Sequence, residues 1–418
     1  MIKNHKKPLK ICLLGYRSNP HCGGQGVYIK NLSRALKDLG HEVDVISGPP
    51  LPHIDKDINL FELKSLDLYN PEDLFRIPKL KEIINPINFC EWLGVITMGF
   101  PEPFTFGFRA YNFLKKNVNK YDIIHDNQCL AYGIGLINKF IPTIATIHHP
   151  ITVDRQIDVK NEKSPLKKVK HMRWYSFIGM QKRVAKKFSH IITVSRCSSK
   201  DISKEFKIPL KKFRIVPNGI DINAFYPIPE IQRENNRIIV TNSADIPLKG
   251  LRYLLESVAE ISKKRDVKLI VIGTPKKDGK ILRLVKRLNI NKHVTFTGRI
   301  DHAEFVRQYA KATVAVVPSL YEGFGLPAGE AMACGVPVIS TNAGALPEVV
   351  GNAGILVPPG NSKALTSAIL KVFDNPDFGK KIGDLGYQRI KTHFTWKVAA
   401  EKCVDIYREV IDAHRRFQ

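Results

Sequence analysis

Short apolar runs rich in β-branched residues alternate with helical stretches along most of this chain, and this alternation constrains the fold most. Residues 9–15 are predicted to form a buried strand, residues 24–39 an amphipathic helix ended by Gly40, and residues 42–47 the next strand. Continuous apolar strands separated by helices are typical of a parallel sheet that is covered on both faces. The pattern therefore predicts an α/β fold.

The alternation forms two successive series. The first continues with strands predicted at residues 123–125, 143–147, 191–194 and 213–216, and the second has strands predicted at 238–241, 268–272, 294–296, 314–317 and 337–340. Pro227 and Pro229 suit a linker between the series. We therefore expect two facing Rossmann-like, doubly wound parallel-sheet domains. Ligands bind at the carboxyl ends of such strands, so the site is expected in the cleft between the domains.

Residues 50–115 interrupt the first series. They do not alternate and are rich in Pro, Phe and Leu. We interpret them as an insertion that covers one side of the cleft. Recognition of a hydrophobic acceptor and packing against its own domain are both open from the sequence.

The chain is strongly basic. It has 65 Lys and Arg against 39 Asp and Glu, a formal net charge of +26, which favours polyanionic partners. Many of these cations lie in residues 160–187, where Trp174, Tyr175, Phe177 and Ile178 stand among them. Such a segment can dock on an acidic membrane surface, and a plain solvated helix face is the alternative. The sequence contains no helix-turn-helix, RNP or zinc pattern to indicate specific nucleic-acid binding.

Cysteine usage and hydropathy predict a cytoplasmic protein. The seven cysteines are scattered without a C-x-x-C pair, which indicates reduced thiols and neither a disulfide framework nor a metal site. No apolar run approaches the roughly 18 residues of a membrane span. The apolar run at residues 11–14 is too short for a secretory signal.

The most informative motif is Glu322-Gly-Phe-Gly-Leu-Pro-Ala-Gly-Glu330, which follows a predicted strand and leads into a helix. Gly323 and Gly325 let the backbone approach a ligand closely, and the helix start offers N–H groups to a phosphate. The two carboxylates can accept hydrogen bonds from paired sugar and ribose hydroxyls. The alternative is a Gly/Pro-rich turn with two unrelated surface acids.

Two further segments belong with this motif. Lys249-Gly250-Leu251 opens a helix after the predicted strand 238–241, where a lysine can neutralise a leaving diphosphate. Asn218-Gly219, within residues 216–221, is by itself only a turn signal.

Together these segments resemble the family-4 retaining glycosyltransferases of the GT-B fold, also called the group 1 glycosyl transferases. The resemblance covers nearly the whole chain, because the E-x7-E motif occurs in order after Asn218-Gly-Ile-Asp221 and Lys249-Gly250. It implies an acceptor-side domain over residues 1–222 and a nucleotide-sugar-binding domain over 223–394. It also implies that a final helix, 395–418, crosses back to the first domain; a helix that caps its own domain is the alternative.

The resemblance implies roles for the residues of the second domain. Glu330 would bind the donor ribose and Glu322 the transferred sugar. The donor would also meet the backbone amides of Gly323, Phe324, Gly325 and Leu326, and Asn218. Lys249 matches the second member of a basic pair on the diphosphate. Ala244 stands where the family commonly has the first member, an Arg, so Arg252 or Arg299 is a candidate substitute.

The first domain matches the family more loosely. Gly24, within the glycine cluster 23–26, is expected near the diphosphate and acceptor, with a plain tight turn as the alternative. His148, favoured over His149 by its place after a strand, is expected to bind the donor sugar or orient the acceptor. A surface histidine pair is the alternative. His125 and Ser195 are further candidates.

The implied reaction moves a sugar from a nucleotide diphosphate sugar to an acceptor hydroxyl with retention, and with Glu322, Lys249 and His148 as catalytic residues. No metal or other cofactor is expected; Asp55-Lys56-Asp57 spells D-x-D but lies in a Pro-rich loop. A saccharide or lipid-linked acceptor and an anionic membrane surface are the expected partners. The alternatives are a nucleotide-sugar-binding relative without transfer, one that epimerises or hydrolyses its ligand, and a basic RNA- or polyanion-binding protein.

Overall fold

The chain divides into two compact units. The computed structural model describes residues 7–19, 24–70, 72–73, 76–162, 164–241 and 245–416. The first unit comprises Met1–Val194, Ser198–Val216 and Ala399–Gln418, and the second comprises Ser195–Cys197 and Pro217–Val398. Each unit is built on one sheet in which all paired strands are parallel.

The first unit holds a seven-stranded sheet. Its strands are β1 (Lys10–Gly15), β2 (Glu42–Ser47), β3 (Asn59–Glu62), β4 (Ile123–Asn127), β5 (Thr143–Ile147), β6 (Ile191–Thr193) and β7 (Phe213–Ile215). Their order is β3-β2-β1-β4-β5-β6-β7. Ile11 of β1 pairs with Val43 of β2 and Ile123 of β4. The central strands are buried along their length, which explains their uninterrupted apolar sequences.

The second unit holds a six-stranded sheet. Its strands are β8 (Arg237–Thr241), β9 (Lys268–Ile272), β10 (Val294–Phe296), β11 (Val314–Val317), β12 (Val338–Thr341) and β13 (Ile355–Val357). Their order is β10-β9-β8-β11-β12-β13. The strand order reverses between β8 and β11, and in open parallel sheets a ligand binds at such a switch point, beyond the carboxyl ends of the strands.

Helices connect the strands of both units. Those before β7 are α1 (Gly24–Asp38), α2 (Leu80–Ile83), α3 (Pro86–Ile96), α4 (Glu102–Lys115), α5 (Tyr132–Ile137), α6 (Thr152–Asn161), α7 (Pro165–Trp174), α8 (Ile178–Ala185) and α9 (Arg196–Phe206). Those after β8 are α10 (Leu251–Ser262), α11 (Lys280–Arg287), α12 (His302–Lys311), α13 (Leu326–Ala333), α14 (Leu346–Val350), α15 (Ser362–Asp374), α16 (Pro376–His393) and α17 (Trp396–Arg415). No helix in the described ranges is long and apolar enough to cross a bilayer.

Residues 50–115 contribute to the first unit rather than standing apart from it. Strand β3 extends the sheet beside β2. Helix α4 buries Phe106, Ala110 and Leu114 in the core. Of the two alternatives open from the sequence, packing against its own domain is therefore what the structure shows for α4.

His125 lies inside the first unit. Its ring is 1% exposed, with Nδ1 2.6 Å from the Tyr407 hydroxyl and Nε2 2.6 Å from Thr146 Oγ1. Burial lowers its pKa to about 3, so the ring is neutral. Both ring nitrogens are used within the unit, so this arrangement leaves neither of them for a ligand.

Candidate active site

The switch point of the second sheet brings together the loops that follow β8 and β11. Leu320 N donates a hydrogen bond to Leu248 O at 2.7 Å. Gly250 has φ +66°, and a Cβ added there would lie 1.9 Å from Pro318 O. Glycine is therefore required for the β8 loop to lie against the end of β11.

This approach pairs two predicted site residues. Lys249 ends a 3-10 turn, Pro247–Lys249, and its Nζ lies 2.7 Å from Glu322 Oε1. Ser319 Oγ donates to the same oxygen at 2.9 Å. The Glu322 side chain is 12% exposed and that of Lys249 33% exposed, so the pair is shielded yet reachable. A lysine held at a switch point supplies positive charge where a phosphate would develop negative charge.

The loop that carries Glu322 rests on the loop that follows β12. Gly344 has φ +57°, and an added Cβ would lie 2.2 Å from Glu322 O. Ala345 N donates to the same carbonyl at 2.9 Å. Gly325 has φ +103°, and an added Cβ would lie 2.6 Å from Leu346 Cδ2. These contacts fix the course of the glycine-rich loop.

Within this loop, Phe324 offers only its backbone to a ligand. Its side chain is 6% exposed and its ring centroid lies 6.1 Å from that of Phe394. Ser195 Oγ donates to Gly323 O at 2.9 Å and so holds the neighbouring peptide. The amide role of the loop stays a prediction from the resemblance.

Helix α13 begins directly after the loop, with Gly325 as its N-cap. The N–H groups of a first helical turn have no acceptors within the helix, so those at Gly325 and Leu326 suit an anion. Pro327 has no N–H to offer.

Glu330 lies inside α13 and is half-buried. Burial raises its pKa from 4.5 to about 7, and within the described part of the chain no cation or hydrogen-bond donor offsets that burial. A carboxylate in this state is stabilised by any ligand that donates hydrogen bonds to it. The cis-hydroxyls of a ribose are donors of that kind.

The segment with Asn218 lies against α13. Ile220 N donates to Phe394 O at 2.6 Å, and a Cβ added to Gly329 of α13 would meet Ile220 Cδ1 at 2.6 Å. Asn218 Oδ1 is buried and has no hydrogen-bond partner within the described residues. An unmet polar atom of this kind costs about 1–3 kcal/mol, which a donor from a ligand would recover.

Sequence reasoning missed Glu348. Its carboxylate accepts hydrogen bonds from the backbone N–H groups of Arg196 at 2.8 Å and Cys197 at 2.9 Å. A carboxylate at a helix N-terminus is stabilised by the helix dipole, and here it fixes the start of α9 next to Ser195. Glu348 follows Leu346-Pro347, but no local signal connects it with Arg196, 152 positions earlier.

In the first unit, His148 lies at the end of β5. Its Nε2 is 2.8 Å from Asn127 Oδ1, while Asn127 Nδ2 donates to Gln25 O at 3.3 Å. Because Asn127 Oδ1 can only accept, His148 Nε2 carries the ring proton and donates it, and Nδ1 is left as an acceptor. Burial, with lesser contributions from His149 and His125, lowers the pKa of His148 to about 3, so the ring is neutral.

Gly24 is the first residue of α1, and a Cβ added there would meet no described residue within 4 Å. Gly23 lies outside the described residues.

The D-x-D carboxylates are engaged with α1. Asp55 lies 3.3 Å from Arg34, and Asp57 lies 3.1 Å from Lys37. No group of three or more His, Cys, Asp or Glu in the described ranges could hold a metal ion.

The described contacts assign no residue to the role of the family's Arg, the first member of the basic pair on the diphosphate. Arg252 pairs with Glu256 of its own helix at 2.9 Å and is 64% exposed. Arg299 is exposed. Ala244 lies outside the described residues. Among the described contacts, Lys249 is therefore the cation that donates a hydrogen bond to Glu322.

Comparison with known proteins shows the family of the chain. The family model of glycosyl transferases group 1 matches residues 235–375, and that of Glycosyltransferase Family 4 matches residues 22–224. The chain is 42% identical over 411 residues to an MMP α-(1→4)-mannosyltransferase of Mycolicibacterium hassiacum, covering 96% of this chain and 98% of that protein. It is 26% identical to a D-inositol 3-phosphate glycosyltransferase of Catenulispora acidiphila, covering 97% and 96%.

Solved structures share the fold. A sucrose-phosphate synthase from Thermosynechococcus elongatus superposes with a TM-score of 0.70 at 24% identity, covering 97% of this chain and 100% of that one. Anabaena HepE in complex with UDP-glucose superposes with a TM-score of 0.66 at 18% identity, covering 96% and 100%. Two parallel-sheet units with these neighbours define a glycosyltransferase of the GT-B class. The chain belongs to family 4 of these enzymes, the group 1 glycosyltransferases.

Proposed function

We propose that this glycosyltransferase transfers a mannosyl group from a nucleotide diphosphate donor to a saccharide hydroxyl, with retention of anomeric configuration. Mannose is favoured because the relative that is 42% identical over nearly the whole chain is a mannosyltransferase. The contact between Lys249 and Glu322 carries the proposal within the structure, because it sets a cation and a hydroxyl-binding carboxylate together at the switch point of the second sheet.

The donor is proposed to occupy the second unit. Its ribose hydroxyls would donate to Glu330 and relieve the buried carboxylate. The diphosphate would meet the first N–H groups of α13 and Lys249, and the sugar would meet Glu322. His148, through Nδ1, would accept a hydrogen bond from a hydroxyl of donor or acceptor, and Gly24, at the start of α1, would lie near the diphosphate and acceptor.

In the proposed step the acceptor hydroxyl attacks the anomeric carbon from the face that the diphosphate leaves. The bond from that carbon to the acceptor oxygen forms while its bond to the phosphate oxygen breaks. The hydroxyl proton passes to a donor phosphate oxygen, so no carboxylate acts as nucleophile. Lys249 and the loop amides stabilise the charge on the departing diphosphate. The step needs no metal.

The acceptor is proposed to be a lipid-linked saccharide or a polysaccharide intermediate, met in the cytoplasm or at the inner face of the cell membrane. The net charge of +26 supports an anionic surface as a partner.

The test is transfer from GDP-mannose, UDP-glucose and ADP-glucose to a panel of α-mannosides, with and without EDTA, and with the product anomer determined by NMR. The proposal expects transfer from GDP-mannose, the mannosyl donor of the panel, an α-linked product and no effect of EDTA. Lys249→Ala should abolish most turnover, whereas Lys263→Ala, at an exposed ion pair on α10's end, should not. Turnover that is equal in both variants would refute the assigned role.

A nucleotide-sugar-binding protein without turnover is the second candidate, favoured by Ala244 in place of the family's Arg. Thermal stabilisation by a nucleotide sugar with no transfer to any acceptor would select it.

A further inference from the structure

Helix α3 of the first unit has an outward face without charge. Phe89, Leu93 and Ile96 repeat at helical spacing and are 44%, 43% and 53% exposed. The one charged residue of α3, Glu91, is 2% exposed and bonds inward to Arg109 of α4. Surface helices normally turn their polar residues to solvent, so this helix has the reverse pattern on its outer side.

Helix α7 shows a second apolar stripe. Leu166, Val169 and Met172 are 84%, 63% and 60% exposed and follow one another at helical spacing. Lys167 and Lys170 stand between them and are also exposed. An apolar stripe bordered by lysines is typical of helices that lie in the plane of a membrane interface.

The two stripes adjoin where α3 and α7 end. Arg173 Nη2 donates to Thr97 Oγ1 at 2.8 Å, and the ring of Trp174 stacks on Phe100 at 5.0 Å. We call the six exposed side chains Phe89, Leu93, Ile96, Leu166, Val169 and Met172 the apolar shelf. Ile77, Leu80 and Ile84, which are 86%, 83% and 78% exposed, extend it beside α2.

The shelf differs from the surface that the sequence suggested. Trp174 and Phe177, which stand among the cations of residues 160–187, both turn toward Phe100, with ring centroids 5.0 Å and 5.5 Å away. Ile178 is 1% exposed. These residues anchor α7 to the unit, and the smaller apolar residues of α7 face outward.

The rim of the shelf is cationic. Exposed or half-exposed cations around it are Lys79, Lys81, Lys167, Lys168, Lys170 and Arg173. The carboxylates of α2 and α3 are both taken by arginines, Glu82 by Arg76 at 2.5 Å and Glu91 by Arg109. At the α2 end, Asp73, next to the exposed Glu72, lines a hollow with Ile77 and Lys79, so the excess positive charge is on the α7 side of the shelf.

We propose that the apolar shelf inserts into the headgroup region of an anionic lipid bilayer, with the rim lysines on the lipid phosphates. A second copy of the chain fits less well, because a two-fold contact would set the same lysines against each other. A bilayer with acidic lipids complements both the apolar stripe and its rim. The inference rests on the proposed function only in that a lipid-linked acceptor would explain why the protein docks on a membrane. Docking itself requires neither donor nor acceptor.

The test is co-sedimentation of the full chain with phosphatidylcholine vesicles with and without phosphatidylglycerol, at low and high salt. The wild type should bind the anionic vesicles and release with salt. Leu93→Glu and Leu166→Glu should each weaken binding at least about tenfold, because each removes a leucine that the bilayer would bury. Lys167→Gln with Lys170→Gln should weaken it about thirtyfold, at about 1 kcal/mol per lysine.

Leu210→Glu is the matched control. Leu210 is 54% exposed and adjoins Lys211 and Lys212, in a 3-10 turn away from α3 and α7. It should bind vesicles as the wild type does. Equal binding of Leu93→Glu and wild type, or no vesicle binding at all, would overturn the inference. A dimer in solution that Leu93→Glu converts to monomers, without vesicle binding, would assign the shelf to a second copy.

Thermal stabilisation of the same variants by nucleotide diphosphates separates this inference from the proposed function. All of them should respond as the wild type does, because the shelf belongs to the first unit and the donor is proposed on the second. Loss of vesicle binding with intact nucleotide response is therefore expected.

Discussion

Glu330→Gln should stabilise the protein without ligand while removing its response to nucleotide. Raising the pKa of Glu330 from 4.5 to about 7 means that the fold disfavours the ionised carboxyl. At about 1.36 kcal/mol per pKa unit, ionised Glu330 lowers the free energy of unfolding by about 3 kcal/mol. Allowing for the part of the residue that solvent reaches reduces this to about 2 kcal/mol. Glutamine keeps the shape of the side chain and carries no charge.

The sign follows from proton linkage. Between about pH 4.5 and 7 the folded chain holds a proton on Glu330 that the unfolded chain releases, so stability falls as the pH rises through this window. The gain from Glu330→Gln should be near zero at about pH 3.5, below the pKa of the unfolded chain, and complete at about pH 8. For a unit of this size, about 2 kcal/mol raises the melting temperature by roughly 4–8 °C.

Scanning calorimetry at both pH values, with and without GDP and UDP, measures the effect. Nucleotide should raise the melting temperature of the wild type and release a proton at about pH 6.5, because ribose hydroxyls favour the carboxylate. The variant should lose most of this response. A gain that does not change with pH, or a nucleotide response equal to that of the wild type, would refute the reasoning.

Three further predictions test other residues. Lys249→Ala should lower kcat by about 10²–10³ in steady-state assays, since a charge that stabilises the leaving diphosphate is lost; Lys263→Ala should leave kcat unchanged. Gly344→Ala should cost at least about 2 kcal/mol by urea denaturation, because φ is +57° and the methyl would meet Glu322 O. Gly179→Ala, with nothing within 4 Å, should not destabilise. His148→Gln should not remove any titration step near pH 6.5 from the pH profile of kcat/KM. The pKa of His148 is about 3, so its ring is already neutral at that pH.

The sheets could be predicted from the sequence where strands are apolar and buried. Strand β4 was predicted at residues 123–125 and runs to Asn127, because its last residues are polar yet buried. Strands β3 and β13 were missed. Both lie at sheet edges. β3 is at most half-buried and has polar ends, and β13 is apolar but only three residues long, so neither shows the long apolar run of a central strand.

The candidate site could be predicted only where local motifs mark it. The E-x7-E segment and Lys249 were found because glycines and a lysine follow strands. The contact of Lys249 with Glu322 could not be derived from local patterns, since it joins residues 73 positions apart. The same holds for Glu348, which no local pattern connects with α9. The outward apolar side chains of α3 could not be predicted either, because the inward turn of Glu91 depends on Arg109 of α4.

The hydrogen bond between His125 and Tyr407 has a consequence for biosynthesis. The two residues are 282 positions apart, yet both belong to the core of the first unit. Domains usually fold in the order in which the ribosome releases them. In this chain the partner of His125 lies in α17, so the core of the first unit cannot be completed until that helix is made. All residues of the second unit are synthesised before the first unit is complete. A nascent chain that stops before residue 399 would expose an unfinished core, and it is at this stage that the protein most needs protection from aggregation.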